Sequence, residues 1–177
     1  MPQSKLPGAD DVIRARVLGD LGIRAQRPRV GADTGVRQSN LQGMTMPAQL
    51  NHLIVYARDS QASANFLARI LGLAAPTRFG PFHVVATANG VSMDFIEADA
   101  EIASQHYAFL ISEAEFDEVF GRIRGMQLPF WADPGKRQPQ EINHGDGGRG
   151  VYFEDPDGHF LEILTRPYGS ASKGTER

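Results

Sequence analysis

The chain has 177 residues, 41% of them hydrophobic and 22% charged, with a formal charge of −3; that is enough for one domain with a sizeable core. It holds no cysteine, which excludes disulfides, thiolate metal ligands and a cysteine nucleophile, so any metal must be held through nitrogen and oxygen. No apolar run approaches the ~18 residues of a membrane span and no secretory signal is legible, so a cytoplasmic protein is expected, without a membrane partner.

Residues 1–43 carry seven Lys/Arg against four Asp/Glu and no aromatic residue. "ADDVIRARVLGDLG" has the pattern of a short amphipathic helix behind an aspartate cap. The rest of this stretch lacks periodicity, so residues 1–45 read as a disordered extension and 46–168 as the domain. "GSASKGTER", residues 169–177, reads as a flexible end. Residues 44–177 hold eleven Lys/Arg against seventeen Asp/Glu, an acidic balance that argues against nucleic acid as a partner.

The domain opens with "LNHLIVYARD", residues 50–59, an apolar strand with His52 near its start. Ala62, Phe66, Leu67 and Ile70 follow at helical spacing, and Gly72 ends that run. "FHVVATANG" and "VSMDFIEAD" then read as strands joined through an Asn-Gly turn. The pattern starts again at "SQHYAFLISE", residues 104–113. Ser112 and Glu115 have capping-box spacing, and Phe116, Val119, Phe120 and Ile123 mark the buried face of a second helix ending near Gly125. "GRGVYFEDPDGHFLEILTRP" supplies two closing strands around an Asp-Pro-Asp-Gly turn. Aligning His52 with His106 also aligns Asp59 with Glu113 and Phe66 with Phe120. The chain is therefore an α+β protein of two β-α-β-β-β copies. One copy cannot bury its sheet face alone, so the two should pair.

Strand alternation sorts the side chains. His52, Ile54 and Tyr56 share a face, as do His106, Ala108 and Leu110, Asp94 and Ile96, and Glu162 and Leu164. The alternate sets are more uniformly apolar and belong under the helices, so these sets should line the cavity between the copies. "EINHGDGGRG", residues 141–150, is a glycine-rich loop ahead of a cavity strand. Its His144 is a candidate acid or base, Arg149 a candidate partner for a substrate anion, and Tyr152 a cavity residue; an ordinary exposed hairpin loop is the competing interpretation. Trp131 lines a pocket or anchors its loop. His83 is expected to be structural, and His159, in the final turn, exposed.

The stretches "NHLIVYARD", "QHYAFLIS" and "GVYFEDPDGHFLEILT" resemble the vicinal oxygen chelate superfamily, which includes glyoxalases, extradiol dioxygenases, fosfomycin-resistance transferases and bleomycin-resistance proteins. The resemblance covers residues 47–168. It implies two paired modules forming a curved, partly closed mixed sheet around a cavity, with helices on the outer face. It also implies one divalent metal ion per site (Fe, Mn, Ni, Co or Zn) on His52, His106 and Glu162, with positions left open for substrate oxygens. Asp94 falls where some members place a fourth ligand. Being one methylene shorter than glutamate, it is expected beside the site, toward ligand or substrate. The implied chemistry is that of a lyase, isomerase or ring-cleaving dioxygenase on a small substrate chelated through two neighbouring oxygens. Glu162 or His144 would move the proton, near Tyr152, and Arg149, Tyr56 and Trp131 would contact the substrate. A homodimer is expected, and a non-catalytic drug- or metabolite-binding protein is the alternative.

Overall fold

The computed structural model describes residues 48–171. The expected extension 1–45 and its short helix lie outside the described residues, as does the chain beyond residue 171. Both copies of the repeat are present. The first runs β1 (His52–Ala57), α1 (Ser60–Leu71), β2 (Thr77–Phe79), β3 (Phe82–Ala86) and β4 (Ser92–Glu97). The second runs β5 (His106–Leu110), α2 (Glu113–Gly125), β6 (Phe130–Trp131), β7 (Gly150–Glu154) and β8 (Phe160–Leu164). No helix among the described residues is long and apolar enough to cross a membrane.

Local chemistry explains the ends of the helices. The Asp59 side chain caps α1 by accepting from the Ala62 amide, and Gly72 closes the helix at φ 72°, a left-handed conformation that favours glycine. At α2 the expected capping box forms: Ser112 Oγ accepts from the Glu115 amide while the Glu115 carboxylate accepts from the Ser112 amide. The Asn-Gly turn before β4 also forms, with Gly90 at φ 81°.

Each copy builds a separate four-stranded mixed sheet, ordered β1-β4-β3-β2 and β5-β8-β7-β6. The registers of the two copies correspond. His52 lies opposite Ser92 and Ile54 opposite Asp94 in one, and His106 lies opposite Phe160 and Ala108 opposite Glu162 in the other.

The core is one cluster built from both copies. Val55, Met93 and Phe95 of the first sheet join Phe153, Leu161 and Ile163 of the second, together with Phe66, Leu67 and Ile70 of α1 and Phe116, Val119 and Ile123 of α2. Each fully buried Phe or Ile contributes ~1.5–3 kcal/mol relative to exposure. These are the apolar sets that alternation assigned to the helices. Their merger turns the histidine-bearing faces away from the common core, and β1 and β5 are left as sheet edges. The expected α+β architecture of two paired modules is therefore present, as two four-stranded mixed sheets that share a helix-side core and are not closed into a barrel.

The final turn links the copies. Asp157 accepts from the Arg58 amide at 2.9 Å and from Ser63 Oγ at 2.5 Å. His159, expected to be exposed, is only 1% exposed. Its Nδ1 accepts from the Gln105 amide and its Nε2 donates to the Tyr56 carbonyl at 2.8 Å, so the ring bridges the end of β1 and the start of β5. His83 is structural as expected, sharing a 2.9 Å hydrogen bond with Ser60 Oγ.

Candidate metal centre

His106 and Glu162 come together on the open face of the second sheet. His106 Nδ1 lies 3.1 Å from the Phe160 carbonyl. A carbonyl can only accept, so Nδ1 carries the proton in the neutral ring and Nε2 presents a lone pair. That Nε2 faces Glu162 Oε2 at 3.3 Å, and Glu162 is 1% exposed. Two electron-pair donors held this close require positive charge between them, either a proton on Nε2 or a cation. Two metal bonds of ~2.1 Å at octahedral to tetrahedral angles span about 3.0–3.4 Å, so this pair fits two adjacent positions of a divalent ion.

The other carboxylate oxygen is held by a tyrosine pair. Tyr168 donates to Glu162 Oε1, and Tyr152, its own hydroxyl 2.8 Å from that of Tyr168, donates in turn to Tyr168. Burial first, then the Glu162 hydrogen bond, raises the Tyr168 phenol above its ordinary value. Burial, then Tyr168 and Glu162, pushes Tyr152 up as well. Both phenols therefore stay protonated donors at neutral pH.

An aromatic wall adjoins the pair. Tyr152 stacks on Phe160 at 5.4 Å between ring centroids and 16° between planes. Trp131 continues the row 6.1 Å from Phe160, and the His106 ring lies 5.9 Å from Tyr152. Lys136 caps the far end, 4.8 Å above Trp131, and pairs with Glu154 at 2.5 Å. Tyr152 and Trp131 are direct neighbours across β6–β7, so both belong to the site face.

The remaining expected site residues are placed differently. His52 keeps its position at the start of β1, where its Nδ1 lies 2.8 Å from Asn51 Oδ1, which leaves Nε2 available as in His106. It does not join His106 and Glu162 within the chain: among the described residues no three His, Asp or Glu side chains converge as a metal cluster. The reason is the shared helix-side core, which points the two histidine faces outward. Asp94, 0% exposed, accepts from Ser92 Oγ at 2.9 Å. Tyr56 is exposed on the outer face of β1. His144 is exposed at the entry to a short 3-10 turn, residues 145–147, and makes no cap bond there. Arg149 is not available to a substrate anion. It binds Glu113 and Asp117, each at 2.6 Å, donates to the Glu113 carbonyl and stacks over Phe116 at 4.4 Å. Alternation explains this, because Arg149 shares the helix-side face with Val151 and Phe153 and so clamps the start of α2.

Two site residues were missed in the sequence. Phe160 was detectable, since it alternates with Glu162 on β8. Tyr168 gave no signal: it lies beyond the last strand, in a Pro-Tyr-Gly segment with no period.

Comparison with known proteins agrees with this architecture. The model of the Glyoxalase/Bleomycin resistance protein/Dioxygenase superfamily matches residues 49–163. The chain is 30% identical over 124 residues to the glutathione transferase FosA of Serratia marcescens, covering 67% of this chain and 81% of that protein. Among solved structures it is similar to the oxidase ChaP-H1, at 63% identity and TM-score 0.69 over 70% of this chain and 99% of the other. The oxidase ChaP-H2 matches at 61% identity and TM-score 0.70, over 71% and 99%.

Proposed function

Because the chain belongs to the glyoxalase, bleomycin-resistance and dioxygenase superfamily, we propose that it is a metal-dependent oxygen-using enzyme acting on a flat aromatic substrate that offers two neighbouring oxygens. The observation that carries this reading is the wall of Tyr152, Phe160 and Trp131 beside the His106–Glu162 pair. A flat ring gains stacking area along such a wall, which a small aliphatic substrate would leave unused. Similarity to proteins named as oxidases supports the same reading.

In this reading His106 and Glu162 hold the metal together with the partner subunit's His52. The outward site faces, the edge strands β1 and β5, and Leu110, 61% exposed on the site face, favour a homodimer in which the open faces meet. When bound, the metal supplies a Lewis acid for the substrate oxygens and, as iron, electrons for dioxygen. The chain's own residues do the rest. The wall orients the ring, and the Tyr152 and Tyr168 rings beside Glu162 keep water from that carboxylate. The Tyr152–Tyr168 pair holds its protons against the carboxylate. Asp94 and Tyr56 share the sheet of His52 and come to the site with it, Asp94 beside the metal without ligating and Tyr56 toward the substrate. His144 is the exposed acid or base within reach of solvent.

The test loads the metal-free chain separately with Fe(II), Mn, Co, Ni and Zn. Each form is assayed with catechol- and naphthalenediol-type compounds in an oxygen electrode, and with a hemithioacetal and fosfomycin plus thiol in parallel. Oxygen uptake with an aromatic diol is expected. Turnover of the hemithioacetal or of fosfomycin without oxygen uptake would replace this reading with a lyase or transferase, and binding without turnover would make the chain a binding protein.

A further inference from the structure

Residues 165–171, the described part of the chain after β8, stay against the domain. Asp146, inside the glycine-rich loop, accepts from the Gly169 amide at 2.9 Å and from the Ala171 amide at 3.1 Å. Arg166 donates back to the Asp146 carbonyl at 3.4 Å. Gly169 takes φ 75°, a left-handed turn that brings the two amides onto one carboxylate. The segment is thereby strapped to the loop, with the Tyr168 ring near Gly145: a Cβ added there would meet it at 3.7 Å. Tyr168 is 58% exposed, yet its hydroxyl reaches the buried Oε1 of Glu162. What it sends inward is its hydroxyl, which donates to Glu162 and accepts from Tyr152.

We propose that Tyr168, held by Asp146, is a positioning residue that makes Glu162 a one-oxygen metal donor. A carboxylate can bind a metal through one oxygen or both. Tyr168 occupies Oε1, and Oε2 is the oxygen that faces His106. Fixing one oxygen removes the rotation and the two-oxygen mode that would consume a position needed by substrate, and a hydrogen-bonded carboxylate is ordered before it binds. This inference rests on the metal reading of the His106–Glu162 pair and adds a residue that acts only through Glu162.

The experiment titrates Mn(II) into the metal-free full-length chain, follows the free ion by electron paramagnetic resonance, and records thermal melting beside it. The wild-type chain, Tyr168→Phe and Asp146→Ala are compared. Tyr168→Phe keeps the ring and removes the donor, so its Mn(II) affinity should fall about 10- to 100-fold, while the metal-free chain still melts cooperatively, lowered only by the few degrees a lost buried hydrogen bond costs. Asp146→Ala frees the strap without touching Glu162 and should weaken binding by a part of that, about 3- to 10-fold. With Co(II), Tyr168→Phe should lower the visible absorption, as a second carboxylate oxygen raises the coordination number. Wild-type affinity in Tyr168→Phe overturns the proposal, and so does a loss of binding that accompanies loss of the cooperative melt. Failure of the wild-type chain to bind Mn(II) is a different result, one that removes the metal reading itself.

Discussion

Across β1–β4 of the first module Ile54 stands opposite Asp94; across β5–β8 of the second Ala108 stands opposite Glu162. The histidine two residues upstream, His52 or His106, occupies the same register in each. Yet among the described residues the histidine–carboxylate pair of this register forms in the second module, at 3.3 Å. In the first, Asp94 turns to Ser92 and His52 to Asn51. One methylene is ~1.5 Å of reach, about half of that separation. A repeat can therefore keep its backbone symmetry while side-chain length confines the histidine–carboxylate pair to one copy.

The largest test of this asymmetry is metal loss. His106→Ala and Glu162→Ala should each abolish stoichiometric Mn(II) binding, while Asp94→Asn should weaken it only ~10- to 100-fold. Calorimetric titration of the three variants decides; equal, complete loss in all three would make the modules equivalent. The same comparison can be sharpened between chains. If the first module gives its histidine to a partner subunit, His52→Ala and Glu162→Ala chains, each inactive alone, should regain about one site in four after random 1:1 exchange. Metal content of the mixture measures this, and no recovery would place all ligands within one chain.

Next in size is the link between the modules. Asp157→Ala leaves the Arg58 amide and Ser63 Oγ without their acceptor and should cost ~2–3 kcal/mol, read by urea unfolding. The same measurement on Ser112→Ala and Asp59→Ala should give ~1 kcal/mol each, since both helices depend on one side-chain cap. The smallest effect separates the helices by pH. The α2 helix carries Glu113 and Glu115 in its first turn and α1 carries no acidic residue there. The Thr165 hydroxyl and then Arg149 hold the Glu113 carboxyl below its ordinary value near 4.5, and the Ser112 amide and hydroxyl do the same for Glu115. Groups lowered in the folded state stabilise it above their unfolded values and lose that contribution as pH falls through the folded ones. Hydrogen exchange between pH 5 and pH 3 should therefore loosen the start of α2 before that of α1.

Much of this molecule was written locally. The repeat, the capping box of α2, the Asn-Gly turn and the face carrying His52, His106, Asp94 and Glu162 follow from spacing, because backbone period and capping bonds act over a few residues. Local pattern also assigned Tyr152 and Trp131 to the neighbourhood of the site. It misplaced Arg149, which alternation puts on the helix-side face with Val151 and Phe153, where Glu113 and Asp117 hold it. It also misplaced His159, which reads as a turn residue until Gln105 and the Tyr56 carbonyl close around it. What tertiary structure alone decided is how the two modules meet. Both helix-side faces are apolar, and their merging into one core is a contest between surfaces far apart in sequence. That contest turned the histidine faces outward, separated His52 from its expected companions, and brought Tyr168 back onto Glu162 through a carboxylate twenty-two residues earlier, at Asp146. Such contacts depend on three-dimensional proximity and on which surfaces bury most area, and no residue period encodes either.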